Sequence, residues 1–497
     1  MKSDKLIDAI GMIDADLLAE ADEKVKKGYV QYIKWLVPVA AALLIVIAVF
    51  PFLKQDKPII DNPLIEQTTS SDGQPITDNP LNEQTTLSDG QPSTENPNSP
   101  IVVPPVDDNQ LNSMVLSLKL AKYPQMVQYP SDLNNLSAWY ESKKERKQYY
   151  GAGKNLDTFF KKTYGEFLSN SDGENKLYSP LNVYMALAMT AEITDGESRQ
   201  QILDLLGASS IDSLRKQANS MWNANYSDDG AVTSILASSL WLNKNITFNE
   251  KVINSLATNY YASSFQGTMG SPEFDKALQQ WLNEQTGGML NNRINEIKLD
   301  PETVMAIATT IFYQAKWEAE FQESYTNKRV FHSSPGDVKC DFMNRTEYDE
   351  LYYWGDNFSA ASKKLANSGK IYFILPDENV SVDDLLSDSE ALSFMTSNGK
   401  WNNSKKIRIN LSVPKFDVSS NMDLVKGLKK LGVTDCFDDT KSNFSSLCKN
   451  YDEPMYISRV EHGVRVVIDE EGVTATAYTV EHLAGSARPS DEEIDFI

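Results

Sequence analysis

A run of 19 uncharged, mostly apolar residues, Trp35 to Leu53, lies between Lys34 and Lys54. As a helix it is long enough to cross the hydrocarbon core of a bilayer. Pro38 and Pro51 fall near its ends, where a helix tolerates them. A secretory signal is the competing reading. Against it, 34 mostly polar residues precede the run and no small-residue cleavage site follows. Lys24, Lys26, Lys27 and Lys34 stand before the run and Lys54 and Lys57 after it, an excess that puts the N-terminus inside the cell. The expectation is a single-pass cell-membrane protein with residues 1–34 cytoplasmic, a transmembrane helix over 35–53, and all that follows extracellular. Leu6, Ile10, Ile13 and Leu17 recur at helical spacing in the cytoplasmic piece.

Asp61 to Thr77, DNPLIEQTTSSDGQPIT, is followed by Asp78 to Thr94, DNPLNEQTTLSDGQPST, a repeat of period 17. So polar a segment has too little apolar surface to offset the entropy of ordering its backbone. Residues 54–109 therefore read as a disordered stalk, and the core must come from 110–497. The 10% aromatic content of the whole chain says that most of it is globular. A net charge of −22 argues against nucleic-acid binding, which needs a basic footprint. Cys340, Cys436 and Cys448 are too few and too scattered for a disulfide framework or a zinc site. No metal and no cofactor is expected.

Asn155 reads as the cap of a helix whose apolar positions are Leu156, Phe159, Phe160, Tyr164, Phe167 and Leu168. After Ser179 and Pro180, VYMALAMTA is apolar all round and predicts a buried helix. ESRQQILDLLG predicts a third, closed by Gly207. Strand signals are GAVTSILASSLWL, IATTIFYQAKW, KIYFILP, KIRINLSVPKFDV and MYISRVEHGVRVVIDE. Helices lead, strands follow, and the two do not alternate regularly, which is an α+β pattern.

Five stretches, in this order, carry a family resemblance: KLYSPLNVYMALAMTAEITDGESRQQILDLLG, LQQWLNEQTGGMLNN, TTIFYQAKWEAEF, VPKFDVSSNMDLVKGLKKLGVTDCFDDTKSNFSSL and VEHGVRVVIDEEGVTATA. Together they resemble the serpins, serine protease inhibitors, of a bacterial, membrane-anchored type. The resemblance implies three β-sheets with surrounding helices and an exposed reactive loop. It implies that a serine protease cuts the loop and that the hinge side then inserts as a new strand in the main sheet, dragging the acylated protease with it. Glu470, Glu471 and Gly472 match the hinge. Ser179, Pro180, Trp317 and His462 match the region where the main sheet opens, with Thr309 where the family has an asparagine. After the loop the family continues into two more strands around an Arg-Pro-Phe motif. This sequence stops at Ile497, so a domain lacking those strands is expected.

Side chains on a strand alternate faces. Counting from Gly472, Val473, Ala475, Ala477 and Thr479 share one face, small and uncharged throughout, as burial against the helical side of the sheet would require. Thr474, Thr476, Tyr478 and Val480 share the other. The family spacing from Gly472 puts the reactive bond at Ser486–Ala487, and a count back from Glu493–Phe496 points to Arg488. Ser486–Ala487 is preferred, because Pro489 follows Arg488 and hinders trypsin-like cleavage. Small residues there suit elastase-like or subtilisin-like proteases. An enzyme is the first rival. Only His332, His462 and His482 could serve as imidazole bases, and LAGSARP lacks the glycine pattern of a nucleophile elbow. The expectation is therefore no catalytic activity, and a monomer whose partner is a protease. A non-inhibitory decoy or binding module is the second rival.

Overall fold

The computed structural model of the chain describes residues 44–48, 116–130, 136–151, 153, 156–288, 297–301, 303–333, 336–448, 455–457, 460–473 and 493–496. Strands are numbered in chain order.

Strand β4 (Thr233–Asn243) is buried along all but its terminal residues. Its neighbours Ile235 and Leu236, and again Trp241 and Leu242, point to opposite faces, so both faces need cover. It runs antiparallel to β6 (Met305–Lys316) and parallel to β5 (Ala262–Gly267). On the far side of β6 come β14 (Gly472–Val473), β13 (Glu461–Ile468) and β12 (Phe416–Asp423). Strand β2 (Leu116–Lys119) closes the other edge by pairing with β5, and β3 (Ser227–Asp228) pairs with β4. Residues after β2 continue over this end of the body: the Tyr123 ring lies 5.4 Å from Trp222, and Trp139 Nε1 donates to Asp229 Oδ2 at 3.1 Å.

The helix Pro180–Ile193 packs on β6. Its Pro180 occupies the first turn, where a missing N–H costs nothing. It is buried almost all round, as its continuous apolar run predicts, and its one buried acid, Glu192, is held by Arg215 at 2.7 Å. The next helix, Gly196–Leu206, starts at Asp195, whose side chain accepts from the Gly196 N–H, and ends at Gly207 with φ +64. The helix Pro272–Gln285 packs on β4 and β6.

A second sheet runs in the order β1 (Leu44–Ala48), β10 (Lys370–Pro376), β9 (Phe358–Lys364), β8 (Gly336–Trp354), β11 (Ser404–Pro414) and β15 (Glu493–Phe496), with β7 (Asn327–Ser333) also on β8. Between the sheets, Trp317, Phe321, Met343, Phe373, Leu411, Ile468 and Phe496 form one apolar cluster. A larger cluster joins the helices to the first sheet.

Several expectations are modified. KIRINLSVPKFDV is not one strand but two in different sheets: β11 ends at Pro414, the chain crosses at Lys415, and β12 begins at Phe416. Proline removes a ladder donor, and the Lys415 N–H turns instead to Asp341 O at 2.8 Å. The first of the three expected helices begins at Asp157. Its expected cap, Asn155, lies outside the described residues. Of the apolar run 35–53, expected as a helix, the described residues Leu44–Ala48 form an antiparallel strand on β10. The rest of that run and the stalk 54–109 lie outside the described residues. Among the described residues no helix is long and apolar enough to cross a membrane.

Candidate functional site: the hinge between two strands

Strand β13 ends at Ile468, and the chain reverses within four residues. Asp469 Oδ1 accepts from the N–H groups of Glu471 and Gly472, each at 3.1 Å, and the Asp469 N–H donates to Gly472 O at 3.1 Å. An acid at the first position of such a turn is the side chain that can satisfy its amides. The chain then enters β14, which is two residues long. Val473 pairs with Ile468 on one side and with Ala315 on the other, and Gly472 pairs with Lys316. Strand β14 thus sits between β13 and β6, antiparallel to both. Beyond Val473 no register pair joins β13 directly to β6 among the described residues.

Gly472 is there for a steric reason. A Cβ on it would lie 2.4 Å from Ala315 O and 2.8 Å from Lys316 Cα, both backbone atoms that cannot swing away. Any other residue would push β14 off β6.

Trp317 locks the turn from below. Its backbone N–H donates to Glu471 O at 3.0 Å and its indole Nε1 to Asp469 O at 2.9 Å. The Phe321 N–H donates to Glu470 O at 3.0 Å. Glu470 is buried, and its two carboxylate oxygens are both used. Thr326 Oγ1 donates to Oε1 at 2.9 Å, and Lys415 Nζ reaches Oε2 at 2.6 Å. Burial would raise this carboxyl, but the hydrogen bonds and charge around it, led by Lys415, hold it below the ordinary glutamate range. Beside the turn, Lys363 is itself buried, 4.5 Å over the Phe321 ring and 2.6 Å from Glu347. Burial lowers its ammonium pKa, with Glu347 opposing.

His462 lies on β13, buried, on the same face as Ile468, six residues away. Its Nε2 accepts from the Ser179 N–H at 2.9 Å, at the mouth of the Pro180–Ile193 helix, and the Tyr178 ring meets it edge-on at 5.5 Å. An acceptor nitrogen means a neutral ring, and burial pushes its pKa down to about 4. Thr309 is half-buried on β6, opposite Ser238 of β4.

The structure therefore brings Trp317, Glu470, Glu471, Gly472 and Val473 together at one end of the opening between β13 and β6. Ser179, Pro180 and His462 meet further along β13. Ala475, Ala477, Thr479, Ser486 and Ala487 lie outside the described residues. Lys415, Thr326 and Phe321 carry the hinge equally, and the sequence alone did not single them out. Lys415 stands inside a recognised stretch, VPKFDV, but its partner is 55 residues away and nothing local marks the pair.

The large sheet thus has a short, interrupted strand, β14, at its centre, entered through Gly472. A profile of the serpin family, serine protease inhibitors, matches residues 154–496, and the chain belongs to that family. It is 29% identical to the plasma serine protease inhibitor of Mus musculus over 67% of this chain and 82% of that protein. It is 27% identical to Serpin-ZX of Arabidopsis thaliana over 66% and 86%. The native state of the thermophilic serpin tengpin superposes with a TM-score of 0.62 at 25% identity, over 77% of this chain and 93% of that one.

Proposed function

We propose that this serpin traps serine proteases of elastase-like or subtilisin-like specificity, as a monomer held at the outer face of the cell membrane by residues 35–53, a state that takes Leu44–Ala48 off the edge of the second sheet, where they pair with β10. The observation that carries the reading is β14. Gly472 and Val473 stand as a strand between β13 and β6, and a continuation that kept their registers would run between the same two strands.

Continuing both registers pairs Ala475 with Tyr313 and Val466, Ala477 with Ile311 and Val464, and Thr479 with Thr309 and His462. The inward residues of β13, His462, Val466 and Ile468, are buried, and Val464 packs on the core between the sheets. Val473 joins the cluster between the sheets and not the helical side expected, and the face that Val473, Ala475, Ala477 and Thr479 would present there is small and uncharged. The protease serine attacks the Ser486 carbonyl, the Ser486–Ala487 bond breaks, Ala487 leaves as the amine, and an acyl-enzyme forms. The freed segment then zips between β6 and β13. At ~1 kcal/mol net per hydrogen bond, an added strand is worth on the order of 10 kcal/mol. The intact loop holds that energy behind a barrier.

Incubation with elastase and subtilisin tests this. The expected result is a denaturant-stable complex, a cut after Ser486 and a higher melting temperature of the cut chain. Cleavage with neither complex nor thermal gain would replace inhibition by the non-inhibitory reading. For the anchor, protease applied to intact cells should release the domain beyond residue 53; a protected domain rejects the topology.

A further inference from the structure

An ammonium stands in the apolar cluster between the sheets. Lys363 lies on β9 opposite Ile371 of β10, and its side chain is 2% exposed. Its Nζ sits 4.5 Å over the Phe321 ring and 5.5 Å over the Trp317 ring, and those two rings meet edge-on at 5.8 Å. The counter-charge comes from β8, where Glu347 Oε1 lies 2.6 Å from Lys363 Nζ. The same oxygen lies 3.0 Å from Arg345 Nε, and a terminal nitrogen of Arg345 donates to Glu320 O at 2.8 Å. One carboxylate oxygen thus gathers two cations on the segment 317–321, Lys363 against its rings and Arg345 on its backbone.

Stability does not ask for charge here. Replacing a buried ion pair by apolar groups of like volume is often neutral or stabilising. What the charges add is direction. A cation over an aromatic face attracts that face and so fixes the ring. The Trp317 ring held in this way aims its Nε1 at Asp469 O. The Trp317 and Phe321 N–H groups take the next two carbonyls, Glu471 O and Glu470 O. All three carbonyls of the turn that leads into β14 therefore rest on two residues whose rings rest on Lys363. A turn fixed beforehand spares an entering strand the entropy of ordering that backbone.

We propose that Glu347, Lys363 and Arg345 form a positioning unit, acting through Trp317 and Phe321, that holds the turn 469–471 in the register from which the loop inserts. The hold on the turn stands on this geometry alone. Its consequence, insertion fast enough to outrun hydrolysis of the acyl bond, rests on the inhibitory reading.

The test uses the full chain, its Lys363→Met, Lys363→Arg and Glu347→Gln variants, elastase and subtilisin. Lys363→Met keeps the apolar fill and leaves Glu347 its Arg345 partner, so it should melt at or above the parent temperature. Its amides at Trp317, Phe321 and Gly472 should nevertheless exchange with solvent several-fold faster, and several-fold more molecules should be cut per protease trapped. Glu347→Gln, which releases both cations, should loosen the same amides. Lys363→Arg, which returns a cation, should recover part of both effects. Parent-like exchange in Lys363→Met or Glu347→Gln overturns the unit. A Lys363→Met chain that melts lower, or fails to fold, makes the pair a plain contributor to stability and overturns it too. Faster exchange with parent-like trapping overturns the link from turn to insertion and leaves the inhibitory reading standing. Faster exchange beside a parent that traps neither protease overturns the inhibitory reading and leaves the hold on the turn.

Discussion

Lys415 Nζ lies 2.6 Å from Glu470 Oε2, and the pair ties the crossing between the two sheets to the hinge of the loop. Lys415 is the single residue between β11 and β12, and Glu470 lies in the turn between β13 and β14. The turn cannot move without breaking this contact, the Thr326 hydrogen bond, or both.

Lys415→Met leaves Glu470 buried with Thr326 as its remaining side-chain partner. Because the lysine side chain is 46% exposed, solvent screens the pair, and the expected loss is about 1–2 kcal/mol rather than the larger cost of a fully buried pair. Glu470→Gln keeps an acceptor for Thr326 and removes the charge, so it should cost less. Urea unfolding with unchanged slope measures both. A Lys415→Met loss smaller than that of Glu470→Gln contradicts the arrangement.

Acid should loosen the sheet through His462. Its folded-state pKa, about 4, is below the ordinary 6.5, so the neutral ring favours the folded state. That stability is present above pH 6.5 and is lost as pH falls from 6.5 toward 4, by about 3 kcal/mol in all. His462→Gln keeps an acceptor for the Ser179 N–H and should remove that portion of the slope. Equal slopes for parent and variant in denaturant melts across pH 7 to 4 reject it.

Gly472→Val should detach β14. The new side chain meets backbone at contact distances no real Cβ shows, and overpacking of this kind costs about 1–3 kcal/mol. The expected outcome is a lower melting temperature, with backbone amides at positions 472 and 473 that exchange with solvent faster. An unchanged melting temperature contradicts the close approach of Gly472 to β6.

Ala477→Glu and Thr476→Glu separate the two faces of the loop. Registers carried on from β14 turn residue 477 to the buried side, where an unpaired carboxylate costs several kcal/mol. On the proposed mechanism, slow insertion would let the protease hydrolyse the acyl bond and leave. Ala477→Glu should be cut at the parent bond yet yield no stable complex, whereas Thr476→Glu should still trap. Equal trapping by the two, read on a denaturing gel, contradicts burial of that face.

Much of the frame is set by residues close together in the sequence. Asp195 and Gly207 bound their helix by cap chemistry alone, and VYMALAMTA announces burial because it has no polar face. Apolar runs made β4, β6 and β10 legible, and the family resemblance singled out Gly472, which opens β14. Strand β8 was not legible: GDVKCDFMNRTEYDELYYW is exposed or half-exposed along most of its length and lacks a clean alternation. Only the tertiary structure decided that KIRINLSVPKFDV divides at Lys415, that this lysine meets Glu470, and that His462 meets Ser179, 283 residues away. Helix ends and strand faces follow from φ/ψ preference and side-chain period over a few residues. Partners across the fold follow from sheet register and packing, to which every residue of the core contributes at once.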